Sequence, residues 1–307
     1  MTAGIAGDAA RARRLYLTVV RKVDGLLQGE HLGAQSGPGT ELAETRVYQP
    51  GDDVRRLDWA VLARTGDAHV RTTRAERELE TTLVVDLSPS MSFGTRGRGK
   101  RDLALTVAAA FSHLGSGPGD RLSAVVLSKD GLVRVPPRPA RSAGPRLLQL
   151  LDQVVVGEGA APPLGTALRA VPTNRRGLVV VVSDLLSAGA PGIEPEWQRP
   201  LRLLAGRHDV VVVEVLDPSE LTLPQVGLLR VVDPESGRFL EVPTGSGAVR
   251  RRYAEAAAAR RSGHAAAVRA TGADHLLLST DGDWLKELSA LLAVRRRVRA
   301  ARRAGGR

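Results

Sequence analysis

The chain of 307 residues contains no cysteine. Disulfide bonds, thiolate metal sites and cysteine nucleophiles are therefore excluded, and a reducing compartment is compatible with the sequence. Aromatic residues make up only 3% of the chain, whereas hydrophobic residues make up 43%. Val, Leu and Ala must therefore build the core of a globular protein.

Long apolar runs are also missing. The apolar runs at residues 178–182 and 210–213 are strand-sized and fall far short of the roughly 18 residues that a membrane-spanning helix needs. The N-terminal region lacks the apolar block of a signal peptide, because Arg11, Arg13 and Arg14 interrupt it. These features predict a cytoplasmic protein without a membrane span.

Several familiar catalytic patterns do not occur. A G-x-x-x-x-G-K-[ST] loop is missing, so ATP hydrolysis by this chain is not expected. The six His residues are scattered, with no pair at helical metal spacing, and there is no G-x-S-x-G elbow for a serine nucleophile. The sequence therefore predicts a protein that is not an enzyme.

Positive charge is concentrated at one end. The formal net charge is +11, and residues 295–307 hold seven Arg and no acidic residue. Such an end suggests either a patch for nucleic acid or anionic lipid, or the solvated end of a last helix. We favour the second interpretation, because no aromatic residues interleave with the arginines to stack on bases. Nucleic acid is therefore not the expected partner.

Apolar strands alternate with helical segments from residue 82 onward. Strands that are apolar on both faces and alternate with helices are typical of a parallel sheet covered on both sides. Two short apolar runs in 228–242, around Asp-Pro-Glu-Ser-Gly, predict a β-hairpin insertion at the edge of the sheet or on its rim. The predicted strands are 82–87, 122–128, 178–183, 210–216 and 275–278, and the predicted helices are 101–114, 144–155, 164–171, 197–206, 248–271 and 284–303.

The fold class is therefore predicted as Rossmann-like α/β, with helices on both faces of a mostly parallel sheet. Residues 1–14 are small and polar, which predicts disorder, and a helix is expected at 15–27. Four regions are expected along the chain: an N-terminal tail and helix (1–30), a small Arg/Asp-rich subdomain (31–78), the α/β domain (79–294) and a basic C-terminal tail (295–307).

Oxygen ligands follow two of the predicted buried strands. Asp86, Ser88 and Ser90 come directly after the apolar run 83–85, and Asp184 follows a second apolar strand, while Thr166 lies in a loop that leads into a helix. Mg²⁺ prefers hard oxygen ligands and readily keeps open positions for water. Because the hydroxyls are neutral, the ion would remain electron-poor and attract a carboxylate from a partner. The alternative is a set of turn-forming and capping residues.

This five-residue set resembles the metal-ion-dependent adhesion site of von Willebrand factor A domains, in family order and on the expected elements. The resemblance implies that Asp86, Ser88, Ser90 and Thr166 coordinate Mg²⁺, or Mn²⁺ or Ca²⁺ in its place, and that Asp184 coordinates through water. It also implies a von Willebrand factor A-like domain and a role in protein binding.

An upstream block around one tryptophan carries a second resemblance. Its residues are Tyr48, Pro50, Gly51, Asp52, Asp53, Arg55, Asp58, Trp59 and Arg64. This block looks like the signature of a MoxR-associated bacterial family, the domain of unknown function fifty-eight, whose members carry a von Willebrand factor A-like domain. That resemblance implies an adaptor or chaperone-like partner of a MoxR-type AAA+ ATPase or of its client.

Two interpretations of this block stay open. Its Arg residues (55, 56, 64 and 71) and Asp residues (52, 53, 58 and 67) suggest a network of ion pairs that locks a small subdomain. Alternatively, the arginines form a docking surface for carboxylates of a partner. We favour the network, with Trp59 as a core anchor and Asp58 as the cap of a short helix at 59–64.

A Mg²⁺-dependent hydrolase, such as a phosphatase with an Asp at a strand end, is the alternative function for the same site. We place it second because no Lys or His is expected near the site as a general acid.

Overall fold

The structure, a computed structural model, describes residues 2–31, 44–50, 52–72, 79–95, 97–155, 157–186 and 193–304. Two compact units are present: a main unit of Met1–Leu26 and Leu79–Arg307, and a small unit of Leu27–Glu78. The helices are α1 (Thr2–His31), α2 (Trp59–Thr65), α3 (Lys100–Leu114), α4 (Ala140–Gln153), α5 (Leu164–Arg169), α6 (Gln198–Ala205), α7 (Gly247–Ala270) and α8 (Trp284–Ala304). The strands are β1 (Glu44–Val47), β2 (His69–Thr72), β3 (Glu80–Leu87), β4 (Arg121–Ser128), β5 (Gly131–Pro139), β6 (Leu178–Ser183), β7 (Asp209–Leu216), β8 (Leu228–Val232), β9 (Phe239–Pro243) and β10 (Asp274–Ser279).

The main unit is built on a six-stranded sheet with the strand order β10-β7-β6-β3-β4-β5. All neighbouring pairs are parallel except β4 and β5, which are antiparallel. The chain starts this sheet at β3, builds to one side through β5, and then returns to β6 on the other side of β3. This is a doubly wound topology, in which ligands bind at the carboxyl ends of the strands where the winding reverses, here between β3 and β6. The predicted α/β fold is confirmed.

The central strands are buried on both faces, as their continuous Val and Leu runs predict. Every residue of β3 after Glu80, and every residue of β6 after Leu178, is buried. One buried cluster joins β6 and β7 to α5 and α6 and includes Trp197, which has no exposed surface. Within the described ranges, no helix is long and apolar enough to cross a membrane.

Helix α1 begins at Thr2, so the predicted disorder of residues 1–14 is wrong. Ala and Arg, which are frequent here, are strong helix formers, and Ala12, Val19 and Val23 are buried in the main unit. The local apolar pattern begins only at residue 15. The buried Ala12 shows that packing within the main unit extends the helix upstream of that residue.

The basic C-terminal segment also begins as ordered structure, because α8 continues to Ala304. Arg295, the first residue of the predicted tail, pairs with Asp209 at the start of β7 and with Asp274 at the start of β10. The positive charge of Arg295 is therefore paired with two carboxylates of the main unit.

Strand β5 was not predicted. Its sequence contains Pro136, Pro137 and Pro139, which cannot donate hydrogen bonds and argue against a central strand. The strand lies at the edge of the sheet, where such residues are tolerated, and it pairs with β4 alone. The predicted hairpin is present as β8 and β9, which pair with each other in a separate two-stranded sheet rather than joining the edge of the main sheet.

Candidate metal centre

Two neighbouring strand ends bring Asp86 and Ser183 together. Asp86 is the next-to-last residue of β3, and Ser183 ends β6, whose Val182 pairs with Val85. The Ser183 hydroxyl donates a hydrogen bond to Asp86 Oδ2 at 2.6 Å, and the Ser88 backbone N–H donates to Asp86 Oδ1 at 2.9 Å. The carboxylate of Asp86 is thus buried and held in one orientation.

The two serines form a pair of hydroxyls beside this carboxylate. Ser88 precedes a short 3-10 helix, Pro89–Ser92, and Ser90 lies within it. The Oγ atoms of Ser88 and Ser90 are 3.2 Å apart, and both residues are buried. Proline at the first position favours the turn, and the turn places the two hydroxyls on the same side of the strand end. The structure therefore brings Asp86, Ser88 and Ser90 together.

Asp184 lies just beyond β6, and the backbone after it adopts an unusual conformation. Leu185 has a φ of 58°, in the left-handed region that branched residues rarely occupy. The Trp197 indole N–H donates to the Leu185 carbonyl at 3.3 Å, and the Leu186 N–H donates to Asp184 Oδ1 at 3.2 Å. These contacts stabilise the strained turn and fix the orientation of the Asp184 carboxylate.

Lys100 is a residue beside the candidate site that the sequence did not reveal. Its ammonium is fully buried, 2.8 Å from Asp184 Oδ2 and 2.6 Å from Glu220 Oε1. Burial by itself would lower the pKa of Lys100, but the two carboxylates outweigh burial and raise the pKa, so the ammonium stays protonated. The one local signal is its position at the start of α3, at the same edge of the sheet.

Asp217, directly after β7, extends the polar network along the same edge. It has no exposed surface and accepts hydrogen bonds from Thr95 Oγ1 at 3.0 Å and from Thr280 Oγ1 at 2.8 Å. Its own backbone N–H donates to Glu220, the carboxylate that also holds Lys100. An Asp-Pro pair following a buried strand was the available sequence signal. The ends of β3, β6, β7 and β10 thus carry linked polar groups.

Thr166 lies in the first turn of α5 rather than in a loop, and α5 packs against β3 and β4. Its hydroxyl accepts a hydrogen bond from Arg169 at 3.2 Å, and the neighbouring Gly165 N–H donates to both oxygens of Glu196. Among the described residues, the hydrogen bonds of Thr166 do not include one to Asp86, Ser88 or Ser90. Its role as a ligand stays a prediction.

The donor set and its charge fit a hard divalent cation. Burial raises the pKa of Asp86 to about 6, and repulsion from Asp184 adds to this, against the hydrogen bonds from Ser183 and Ser88. A bound cation would offset both causes. No three His, Asp or Glu side chains in the described ranges could hold a metal by themselves. An ion here would therefore depend on the hydroxyl oxygens, which suit Mg²⁺.

The family model described as "Protein of unknown function DUF58" matches residues 44–263, which is most of the chain. This chain belongs to the DUF58 family. "Uncharacterized protein Mb1516" of Mycobacterium bovis is 46% identical over 292 residues, which cover 94% of this chain and 90% of that protein. "Uncharacterized protein Rv1480" of Mycobacterium tuberculosis has the same identity and coverage.

Solved structures similar to this DUF58 protein include BatB from Bacteroides thetaiotaomicron, at 14% identity and a TM-score of 0.41, covering 71% of this chain and 99% of that chain. The SpRpn10 VWA domain is similar at 10% identity and a TM-score of 0.36, covering 69% of this chain and 94% of that domain.

The family-signature residues lie in the small unit, where β1 and β2 pair as an antiparallel ribbon. Tyr48 donates its backbone N–H to Ala68 O at 2.8 Å, and Pro50 lies in a turn that Asp52 closes by accepting from the Gln49 N–H. Gly51 is outside the described residues. This part of the signature builds local backbone structure.

Asp53 and Asp58 act as helix caps in the same unit. Asp53 accepts from the Arg55 N–H at 3.0 Å, and Asp58 accepts from the N–H groups that follow Trp59 at the start of α2, as predicted. Trp59 itself is 67% exposed, so its predicted role as a core anchor is wrong. Arg64 is exposed on the same helix. Trp59 and Arg64 are thus available on the surface of the helix that Asp58 caps.

Proposed function

We propose that this DUF58 protein is a metal-dependent protein-interaction module without catalytic activity. The observation that carries the proposal is the buried group of Asp86, Ser88 and Ser90 at the carboxyl edge of the sheet, where the winding reverses. Neutral hydroxyls with few carboxylates leave a bound Mg²⁺ under-neutralised, so the ion attracts an external carboxylate.

The proposed partner is a MoxR-type AAA+ ATPase or a client of that ATPase. Support comes from the membership in the DUF58 family and from the signature block, whose exposed Trp59 and Arg64 offer an apolar and a basic contact. In this proposal the metal site supplies the carboxylate-binding contact and the small unit supplies additional surface.

Serine-to-alanine variants test the proposal with a matched control. Ser90→Ala removes one hydroxyl of the pair, whereas Ser92→Ala removes a hydroxyl two residues later that donates to the Pro89 carbonyl. Biolayer interferometry against the purified ATPase, in Mg²⁺, should show binding at least tenfold weaker for Ser90→Ala, the usual minimum for losing a metal-site contact. Ser92→Ala should bind like the natural protein.

Chelation gives the second arm of this experiment. Removing Mg²⁺ should weaken binding of the natural protein but leave the residual binding of Ser90→Ala nearly unchanged. Equal binding by both serine variants, with and without Mg²⁺, would contradict the proposal.

A phosphatase at the same site gains one observation, the buried Lys100 next to Asp184. The Lys100 ammonium is already paired with the carboxylates of Asp184 and Glu220, and the Lys100 side chain has no exposed surface. It therefore holds the site together rather than facing a substrate, and we retain the binding function.

A further inference from the structure

Helix α1 is held against α3 and α4 by contacts along its length. His113 Nε2 on α3 is hydrogen-bonded to Asp24 Oδ1 at 2.7 Å. Near the middle of α1, the Tyr16 hydroxyl oxygen lies only 3.0 Å from the place that a Cβ atom of Gly144 on α4 would occupy. Tyr16 therefore packs on the backbone of α4, and the missing side chain at Gly144 lets the two helices approach closely.

A surface groove of about 560 Å³ lies where α1 faces α4. Arg13, Arg14, Leu17 and Arg21 line this groove from α1, and Gln149 lines it from α4. Positions three or four apart, and seven or eight apart, share one face of a helix. One continuous stripe of α1, more than two turns long, therefore forms a wall of the groove.

The positive charge of this groove is not balanced within the fold. Arg13, Arg14 and Arg21 are exposed, and no acidic residue of the described chain lines the groove. Among the described residues, no carboxylate pairs with any of these three guanidinium groups, and Asp24 of the same helix pairs with His113 instead. Like charges in one cavity repel one another, so an anionic ligand would be stabilised there.

An apolar side chain separates the two basic ends of the groove. Leu17 is 45% exposed and lies on the stripe between Arg14 and Arg21. The helical rise places the Cα atoms of these two arginines about 10 Å apart. The groove therefore offers a cationic, an apolar and a second cationic contact, in that order.

An acidic α-helix matches this order of contacts. Two carboxylates seven positions apart on a helix lie on one face about 10 Å from each other, with room for an apolar residue between them. On an extended strand, by contrast, side chains of one face are about 7 or 13 Å apart. Arginine also suits carboxylates, which it binds through two parallel N–H groups. Nucleic acid is less favoured, because the described lining has no aromatic side chain to stack on a base.

We propose that the groove between α1 and α4 binds an acidic helical segment of a partner protein. Arg13 and Arg14 bind a carboxylate at one end, Leu17 contacts an apolar side chain in the middle, and Arg21 binds a carboxylate at the other end. This surface goes beyond the proposed metal-dependent binding, because its contacts need no metal ion. Anionic lipid and nucleic acid are the competing occupants.

A fluorescein-labelled, alanine-based helical peptide is the probe, with two glutamates seven positions apart and a leucine between them. Fluorescence anisotropy in EDTA at low salt measures its binding to the natural protein and to Arg14→Gln/Arg21→Gln. The variant should bind roughly tenfold more weakly, because it loses two exposed charge pairs, and added salt should weaken binding by the natural protein. Arg252→Gln/Arg260→Gln is the matched control, since it removes two exposed arginines of α7 and should bind like the natural protein.

Equal affinity of the natural protein and Arg14→Gln/Arg21→Gln would overturn the inference, as would equal binding of a peptide with glutamine in place of both glutamates. Peptide binding that is undetectable up to about 1 mM would also overturn it. Arginine-dependent binding of phosphatidylserine vesicles or of duplex DNA would then assign the groove to a membrane or to nucleic acid. Both replaced arginines are exposed, so the midpoint of thermal unfolding should match that of the natural protein.

This experiment is independent of the metal site. Because EDTA removes divalent cations, failure of peptide binding leaves the proposed metal-dependent binding untouched. Failure of the metal-dependent binding likewise leaves the groove untouched.

Discussion

At the scale of single residues, charge rather than apolar packing distinguishes the candidate site. Asp86 and Asp184 lie at the ends of adjacent strands, and Lys100 neutralises one side of this pair while Glu220 holds the ammonium. Because these groups are buried, each depends on the others for its charge to be tolerated. A change in one of them should therefore affect stability strongly.

Lys100→Met should lower the free energy of unfolding by about 3–5 kcal/mol, because it leaves the carboxylates of Asp184 and Glu220 without their buried cation. Urea unfolding measures this. Lys129→Met is the matched control, since Lys129 and Asp130 form a pair at 3.8 Å that is open to solvent on the Asp130 side, and such surface pairs contribute about 0–1 kcal/mol. Similar losses in the two variants would show that Lys100 contributes no more than a surface lysine.

At the scale of elements, the backbones of β3 and β6 approach each other closely at the amino ends of these two strands. Gly177 is buried directly before β6, where a Cβ atom would lie 2.1 Å from the Glu80 carbonyl oxygen at the start of β3. The Gly177 carbonyl also accepts from the Asp209 N–H at the start of β7. A side chain here would push apart the strands that carry Asp86 and Ser183.

Gly177→Ala should destabilise the protein by about 1–3 kcal/mol, the usual cost of overpacking, because backbone atoms cannot move aside as a flexible side chain can. Gly263→Ala is the opposite case. Gly263 is exposed in the middle of α7 with nothing within 4 Å of an added Cβ, so alanine should stabilise that helix by roughly 0.5–1 kcal/mol. The midpoint of thermal unfolding should fall for Gly177→Ala and rise for Gly263→Ala. Shifts in the same direction would contradict the contrast between a tightly packed and an open glycine.

At the scale of the whole main unit, the buried carboxylate of Glu214 joins the three elements β7, α7 and β10. Glu214 on β7 accepts hydrogen bonds from His264 Nδ1 on α7 at 3.1 Å and from His275 Nε2 on β10 at 2.8 Å. Burial alone would raise the pKa of Glu214, but the two histidines outweigh burial and lower the pKa. The stability of the fold therefore depends on this carboxylate being ionised.

Glu214→Gln should be less stable than the natural protein at pH 7 by about 1.5–3 kcal/mol, the usual contribution of a hydrogen bond to a charged group. A carboxylate whose pKa falls on folding adds stability above its ordinary pKa of 4.5 and loses it as the pH falls through the folded value. Urea unfolding across pH should show the difference between the two proteins narrowing below about pH 4.5. Glu241→Gln, at an exposed pair, should stay near the natural protein throughout, and a difference for Glu214→Gln that is constant with pH would refute the linkage.

Local patterns were enough to predict most of the elements and their ends. The strands β6 and β7 are runs of valine bounded by polar residues, a signal that needs only a few neighbouring residues. The pattern failed at the start of α1, where Ala12 is buried although it precedes the apolar pattern, and at β5, whose prolines are tolerated only because the strand lies at an edge. In both places the deciding contact is distant in sequence.

The sequence by itself determined the alternation of strands and helices and the presence of Asp86, Ser88, Ser90 and Asp184 at strand ends, because both are encoded within short segments. Only the tertiary structure decided which strand ends are neighbours and placed Lys100 against Asp184. These contacts join residues that are far apart in the chain. Their partners are chosen by sheet order and packing, for which no short segment carries the information.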